Sequence, residues 1–118
     1  MIDKPGKQPA FQAGKRLRIF LGEAQEWQGK PLHRAILELA WWQGIAGATV
    51  LRGVEGFGPE HHLTTERFPD SAENLPMMIE IVDNTAQIER LLPLLDEMVS
   101  RGMITVSDVR IIQRSSFS

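Results

Sequence analysis

The apolar residues of this 118-residue chain switch back and forth between strand spacing and helix spacing, and that alternation restricts its fold more than any single motif does. Leu17, Ile19 and Leu21 alternate with Arg16, Arg18 and Phe20, the pattern of a strand with one face in a core. Gly22 ends the segment, and a polar connection follows through residues 23–30. Pro31 suits the first turn of a helix, where its missing N–H is harmless. Leu32, Ala35, Ile36, Leu39, Trp42 and Ala46 then recur on one helical stripe, and Gly44 and Gly47 close the helix. The stripe predicts Trp42 in the core, and Trp41, beside Leu37 on the far side, against a partner.

Residues 48–58 read as a second strand, rich in glycine toward its end. Residues 59–74 are polar and without period, a length that marks functional or mobile loops. Residues 76–83 are a third strand with Pro76 at its start, where strands tolerate proline. Asn84 caps a second helix with Gln87 in the capping-box position, and Ile88, Leu91, Leu92, Leu95, Met98 and Val99 share its apolar face. Pro93 predicts a kink in that helix, and Gly102 stops it. A last strand region covers residues 103–112, with a bulge or bend expected at Ser107–Asp108 where the alternation slips.

Strand, helix, strand, strand, helix, strand is the order of an α+β, ferredoxin-like βαββαβ fold: a four-stranded antiparallel sheet with two helices on one face. The domain is expected over residues 15–112, between a flexible tail at 1–14 and a short tail at 113–118. The bare sheet face needs a cover in a chain this small, and self-association supplies one.

Composition removes several functions. There is no cysteine, so disulfide frameworks, thiolate metal sites and cysteine nucleophiles are excluded. Thirteen Lys and Arg against fifteen Asp and Glu leave no basic excess for nucleic acid. No apolar run is long enough for a membrane span, and the first residues lack the apolar centre of a signal peptide, so the expected location is the cytoplasm. No nucleophile elbow or HExxH helix is present and no convincing carboxylate pair stands at helical spacing, which points away from an enzyme. An acylphosphatase-like pairing of Arg18 or Arg52 with Asn84 lacks the phosphate loop that chemistry needs.

The strongest local signal is Arg52-Gly53-Val54-Glu55-Gly56-Phe57-Gly58. Glycines there let a ligand approach backbone N–H groups, or simply twist the end of a strand. No helix follows directly, so it is not a dinucleotide fingerprint. Gly47-Ala48-Thr49-Val50, followed by Glu55-Gly56-Phe57-Gly58, resembles the second strand of PII signalling proteins, which ends at the base of their T-loop. With Gly22-Glu23, Gly29-Lys30-Pro31-Leu32, Leu75-Pro76 and Ile79-Glu80-Ile81-Val82-Asp83, the pattern is closer still to a PII-like family of unassigned function, domain of unknown function family 190.

That resemblance implies a cytoplasmic homotrimer that senses a small anionic ligand, an adenine nucleotide in PII proteins, in clefts between subunits. It also implies a T-loop-like segment that switches to control a transporter or enzyme partner. By position, Arg52, Gly53, Gly56, Phe57 and Gly58 form the ligand wall, with Lys30 and Glu23 as additions. The glycine- and lysine-rich phosphate loop of PII proteins is reduced here to residues 100–105, and the chain has no tyrosine to be uridylylated.

His61 and His62 form the second signal. Adjacent histidines on an extended segment point apart, so a divalent metal would need one of them with Glu60, Glu66 or a neighbouring subunit. A metal-binding trimer resembling the cation-tolerance family, and a purely structural trimer, are the alternatives. His33 reads as a surface residue of the first helix, and the methionines as core filler.

Overall fold

Strand β1 (Gln12–Gly22) is the centre of the molecule because its alternating Leu17, Ile19 and Leu21 are buried on one side. The computed structural model describes residues 9–112. The expected tails at 1–8 and 113–118 lie outside them. Gln12, Ala13 and Gly14, expected in the flexible tail, belong to β1, because backbone pairing holds them: Gly14 faces both Asn84 and Val109.

Helix α1 (Leu32–Trp42) follows a tight turn at Gln28-Gly29, both with positive φ, which joins Glu26–Trp27 to Lys30–Pro31. Strand β2 (Gly47–Arg52), strand β3 (Pro76–Asn84), helix α2 (Thr85–Met98) and strand β4 (Met103–Ile111) complete the frame. The four strands form one antiparallel sheet in the order β2-β3-β1-β4, the expected ferredoxin-like arrangement. Both helices lie on the face that carries Leu17, Ile19, Leu21, Met77, Ile79 and Ile81, and add Leu32, Ile36, Ile88, Leu91 and Leu95 to a single core. Asn84 caps α2 as expected, its side chain accepting the Gln87 N–H at 2.9 Å. The buried Asp83 carboxylate accepts the N–H of Ala46 at 2.9 Å and that of Asn84 at 2.6 Å, so it anchors the entry to β2 beside the start of α2.

Three local expectations are corrected at α1 and after β2. Trp42 is 77% exposed rather than in the core. The buried residues of α1 are Leu32, Ala35, Ile36 and Ala40; Trp42 lies only about 20° from Ala35 around the axis, but it is the last residue of the helix, beyond the last buried position at Ala40. The helix stops at Trp42 instead of reaching Ala46, because Gly44, at φ +71°, turns the chain while Ile45 and Gly44 donate to the Ala40 and Trp41 carbonyls. The strand expected over 48–58 breaks after Arg52, and Glu55–Gly56 pair with Thr64–Thr65 in a separate small hairpin. Helix α2 is a single element with the exposed Pro93 inside it.

The slip at Ser107–Asp108 is not a bulge, since the β1–β4 register is continuous from Gln12↔Ile111 to Phe20↔Met103. The apolar side chains change faces instead. Ile104 and Val106 share the helix side, and past them Asp108 and Arg110 take it while Val109 and Ile111 move to the open side. That open face also carries Phe20, Met78 and Val82, with Leu51 53% and Met103 46% exposed, around an Arg18–Glu80 ion pair of 3.0 Å. Arg16, Thr49, Thr105 and Ser107 share that face, so it is a mixed surface with apolar patches around a polar centre.

Candidate functional site

One end of the sheet opens into a cleft of about 120 Å³. It forms where the C-terminal end of β1, the N-terminal end of β3, the α2–β4 turn and the loop after β2 meet, and Phe20, Met77, Phe57, Glu60, His62 and Arg101 are among its walls. A hydrogen-bond network fixes this end. Gly22 N–H donates to Gln25 Oε1 at 2.7 Å, and Gln25 Nε2 donates to the Arg101 carbonyl at 3.3 Å, so one side chain ties β1 to the α2–β4 turn. Ala24 N–H donates to Asn74 Oδ1 at 2.8 Å, and Glu23 N–H to the Leu75 carbonyl at 2.8 Å.

The glycine-rich segment divides into three parts. Gly53 N–H donates to the Pro76 carbonyl at 2.7 Å, and a Cβ on Gly53 would stand 2.8 Å from Pro76 Cγ. Gly56 packs on the same proline, and its carbonyl accepts the Thr64 hydroxyl at 3.3 Å. These two glycines serve close packing against β3, and the Gly53 amide is already occupied. Phe57 and Gly58 line the cleft itself. Beyond them, His61 N–H closes a turn onto the Gly58 carbonyl at 2.8 Å, and the Phe57 and His61 rings lie 5.0 Å apart.

Charge is arranged in pairs around this end. Arg52 Nη1 meets Glu23 Oε2 at 3.2 Å, so two of the expected wall residues form an ion pair with each other, and neither is among the residues that line the cleft. Arg101 Nε lies 3.7 Å from Glu60 Oε1, linking the α2–β4 turn to the loop. Lys30 is not at this site: it lines a separate groove with Trp27, Glu38 and Trp42, and Nζ is 2.8 Å from Glu38 Oε2. The Lys30 ammonium first, and the Arg34 guanidinium at 3.0 Å next, hold the Glu38 carboxyl below its ordinary 4.5. Such a carboxylate supports the fold above its ordinary value and loses that support as pH falls through the lowered one. The pair is exposed, so the expected signature is local: carbon-13 NMR should show Glu38 titrating below 4.5, and the double substitution Lys30→Gln/Arg34→Gln should return it there. A normal titration in the unsubstituted protein would contradict the pairing.

His62 lines the cleft while the His61 ring lies against Phe57, so the two histidines part, His61 at φ +60° in a turn rather than on the extended segment expected. Among the described residues no group of three His, Asp or Glu side chains converges as metal ligands. Sequence reasoning missed Gln25, Asn74 and Arg101 as site residues. The Arg101-Gly102 pair at the end of α2 was the available signal: Gly102 has φ +113°, and a Cβ there would overlap the Phe20 carbonyl oxygen, so the turn lies tight against β1 with Arg101 at the cleft.

A family profile for DUF190, described as "Uncharacterized ACR", matches residues 14–111. The chain belongs to the DUF190 family. UPF0166 proteins are its relatives: that of Aquifex aeolicus (strain VF5) is 35% identical over 100 residues, 83% of this chain and 92% of that protein. The UPF0166 protein MJ1524 of Methanocaldococcus jannaschii is 33% identical over 104 residues, 87% of this chain and 95% of that protein. The solved structure of CPII, a nitrogen regulatory PII-like protein from Thiomonas intermedia K12 bound to ADP, AMP and bicarbonate, superposes with a TM-score of 0.64 at 18% identity, covering 90% of this chain and 94% of that chain. This DUF190 chain therefore has the PII-like fold. Among its described residues no helix is long and apolar enough to cross a membrane.

Proposed function

We propose that this DUF190 protein is a cytoplasmic PII-like sensor: a homotrimer that binds a small anionic ligand of the adenine nucleotide class at the sheet-end cleft and answers by rearranging the loop after β2 toward a partner protein. The observation that carries this reading is the meeting of the loop base, Phe57–Gly58, with the Arg101-Gly102 turn around one cleft. The Arg101 guanidinium in the cleft wall suits phosphate or carboxylate oxygens, and the exposed Phe57 ring beside it offers a flat apolar surface to a base. CPII, with the same fold, is bound to ADP, AMP and bicarbonate, which supports the ligand class. The half-exposed Leu51 and Met103 among the apolar side chains of the open sheet face support association of copies.

Calorimetry with ADP, AMP and bicarbonate tests the reading. The expected result is binding of ADP or AMP that Arg101→Ala weakens about tenfold or more, since a hydrogen bond to a charged group is worth roughly 1.5–3 kcal/mol. An absence of heat from both nucleotides, or binding indifferent to Arg101, would count against it.

A further inference from the structure

The ionisable side chains lining the cleft are Glu60, His62 and Arg101. Its one guanidinium thus already faces its one carboxylate, at 3.7 Å. The two come from elements of different character. Arg101 stands beside Gly102, which is locked against β1 by its positive φ and its approach to the Phe20 carbonyl, and Gln25 holds the Arg101 carbonyl. Glu60 sits in a turn that is closed on itself, through the His61 N–H to Gly58 bond and the Phe57–His61 contact. The cation is therefore presented by the body of the domain, and the anion by a self-contained turn that reaches over the cleft.

We infer that Glu60 is a built-in stand-in for the ligand: its carboxylate occupies Arg101 when the cleft is empty, and a bound anion takes Arg101 from it and releases the 57–64 turn. This rests on the anion site proposed above and adds the contact that couples occupancy to the loop. Side chains that are 73% and 65% exposed make a weak pair, worth up to roughly fivefold in an equilibrium constant. A latch of that strength is displaced by a ligand oxygen that gains Arg101 without losing much to its competitor. Two consequences follow in opposite directions: removing the Glu60 charge should loosen the turn and tighten ligand binding, while removing Arg101 should loosen the turn and weaken ligand binding.

The experiment compares the unsubstituted protein with Glu60→Gln and Arg101→Gln. It measures ADP affinity by calorimetry, and amide hydrogen exchange over residues 57–64 without ligand. The expected result is faster exchange in both variants, ADP affinity raised two- to fivefold in Glu60→Gln, and affinity lowered in Arg101→Gln. ADP binding that Glu60→Gln leaves unchanged or weakens, or exchange unchanged in both variants, would overturn the stand-in while leaving the anion site intact. Failure of all three proteins to bind ADP or AMP would instead remove the anion site, and the stand-in with it.

Discussion

Gly102→Val is expected to lower the stability of the domain by roughly 2–4 kcal/mol, a large part of the 5–15 kcal/mol available to a domain of ordinary stability. Gly102 has φ +113°, a region that side chains rarely adopt, and the added Cβ would overlap the Phe20 carbonyl oxygen. That oxygen cannot retreat, because Phe20 lies between Met78 of β3 and Met103 of β4 in the centre of the sheet. Either the α2–β4 turn or the end of β1 must shift, and both are cleft walls. The substitution should therefore damage ligand binding as well as stability. Gly58→Ala is the control, since nothing lies within 4 Å of a Cβ built there. Urea unfolding should leave that variant within about 0.5 kcal/mol of the parent. Equal midpoints for Gly102→Val and the parent would mean that the turn is not held as described.

The second large effect lies at the centre of the core. Ile79→Ala is expected to cost about 2–5 kcal/mol, and Ile79→Val about 0.5–1.5 kcal/mol. Ile79 is fully buried and faces Ile19 on one side and Val50 on the other, with the helices above it. The strand ladders around it are continuous, so the surrounding backbone has little freedom to close the space left by the lost methylene and methyl groups. The same truncation at the half-exposed Leu51, on the open face of β2, should cost less in an isolated subunit. A loss at Ile79 no larger than at Leu51 would contradict the placement of the core.

Hydrophobic periodicity was enough to order the six main elements, because each strand of the centre has one buried face and each helix one buried stripe. The α2 cap was legible for the same local reason: Asn84 and Gln87 are three residues apart and need no tertiary partner. What failed depended on where an element stops or what lies over it. Trp42 fits a helical stripe by spacing, but the turn at Gly44 ends the helix and the core centres on Ile36. Val109 and Ile111 break the alternation of β4 without breaking its ladder, because the helix side carries charged side chains beyond Val106. In the loop base, composition drew attention to every glycine alike. The structure separates Gly53 and Gly56, which pack on Pro76, from Gly58, which lines the cleft. Lys30 follows the strand–helix connection in sequence, yet Glu38 draws it to another groove. Arg101 was the reverse case: it belongs to the shortened stretch 100–105, and a turn that requires glycine beside it brings it opposite Glu60.

Titration of nitrogen-15-labelled protein with ADP, followed by amide NMR shifts, tests the central claim most directly. The expected result is saturable shifts at Gly22, Phe57, Gly58, Arg101 and Gly102, the backbone around the sheet-end cleft. Shifts confined to the groove of Trp27, Lys30 and Trp42, or no shifts at saturating ADP, would contradict it.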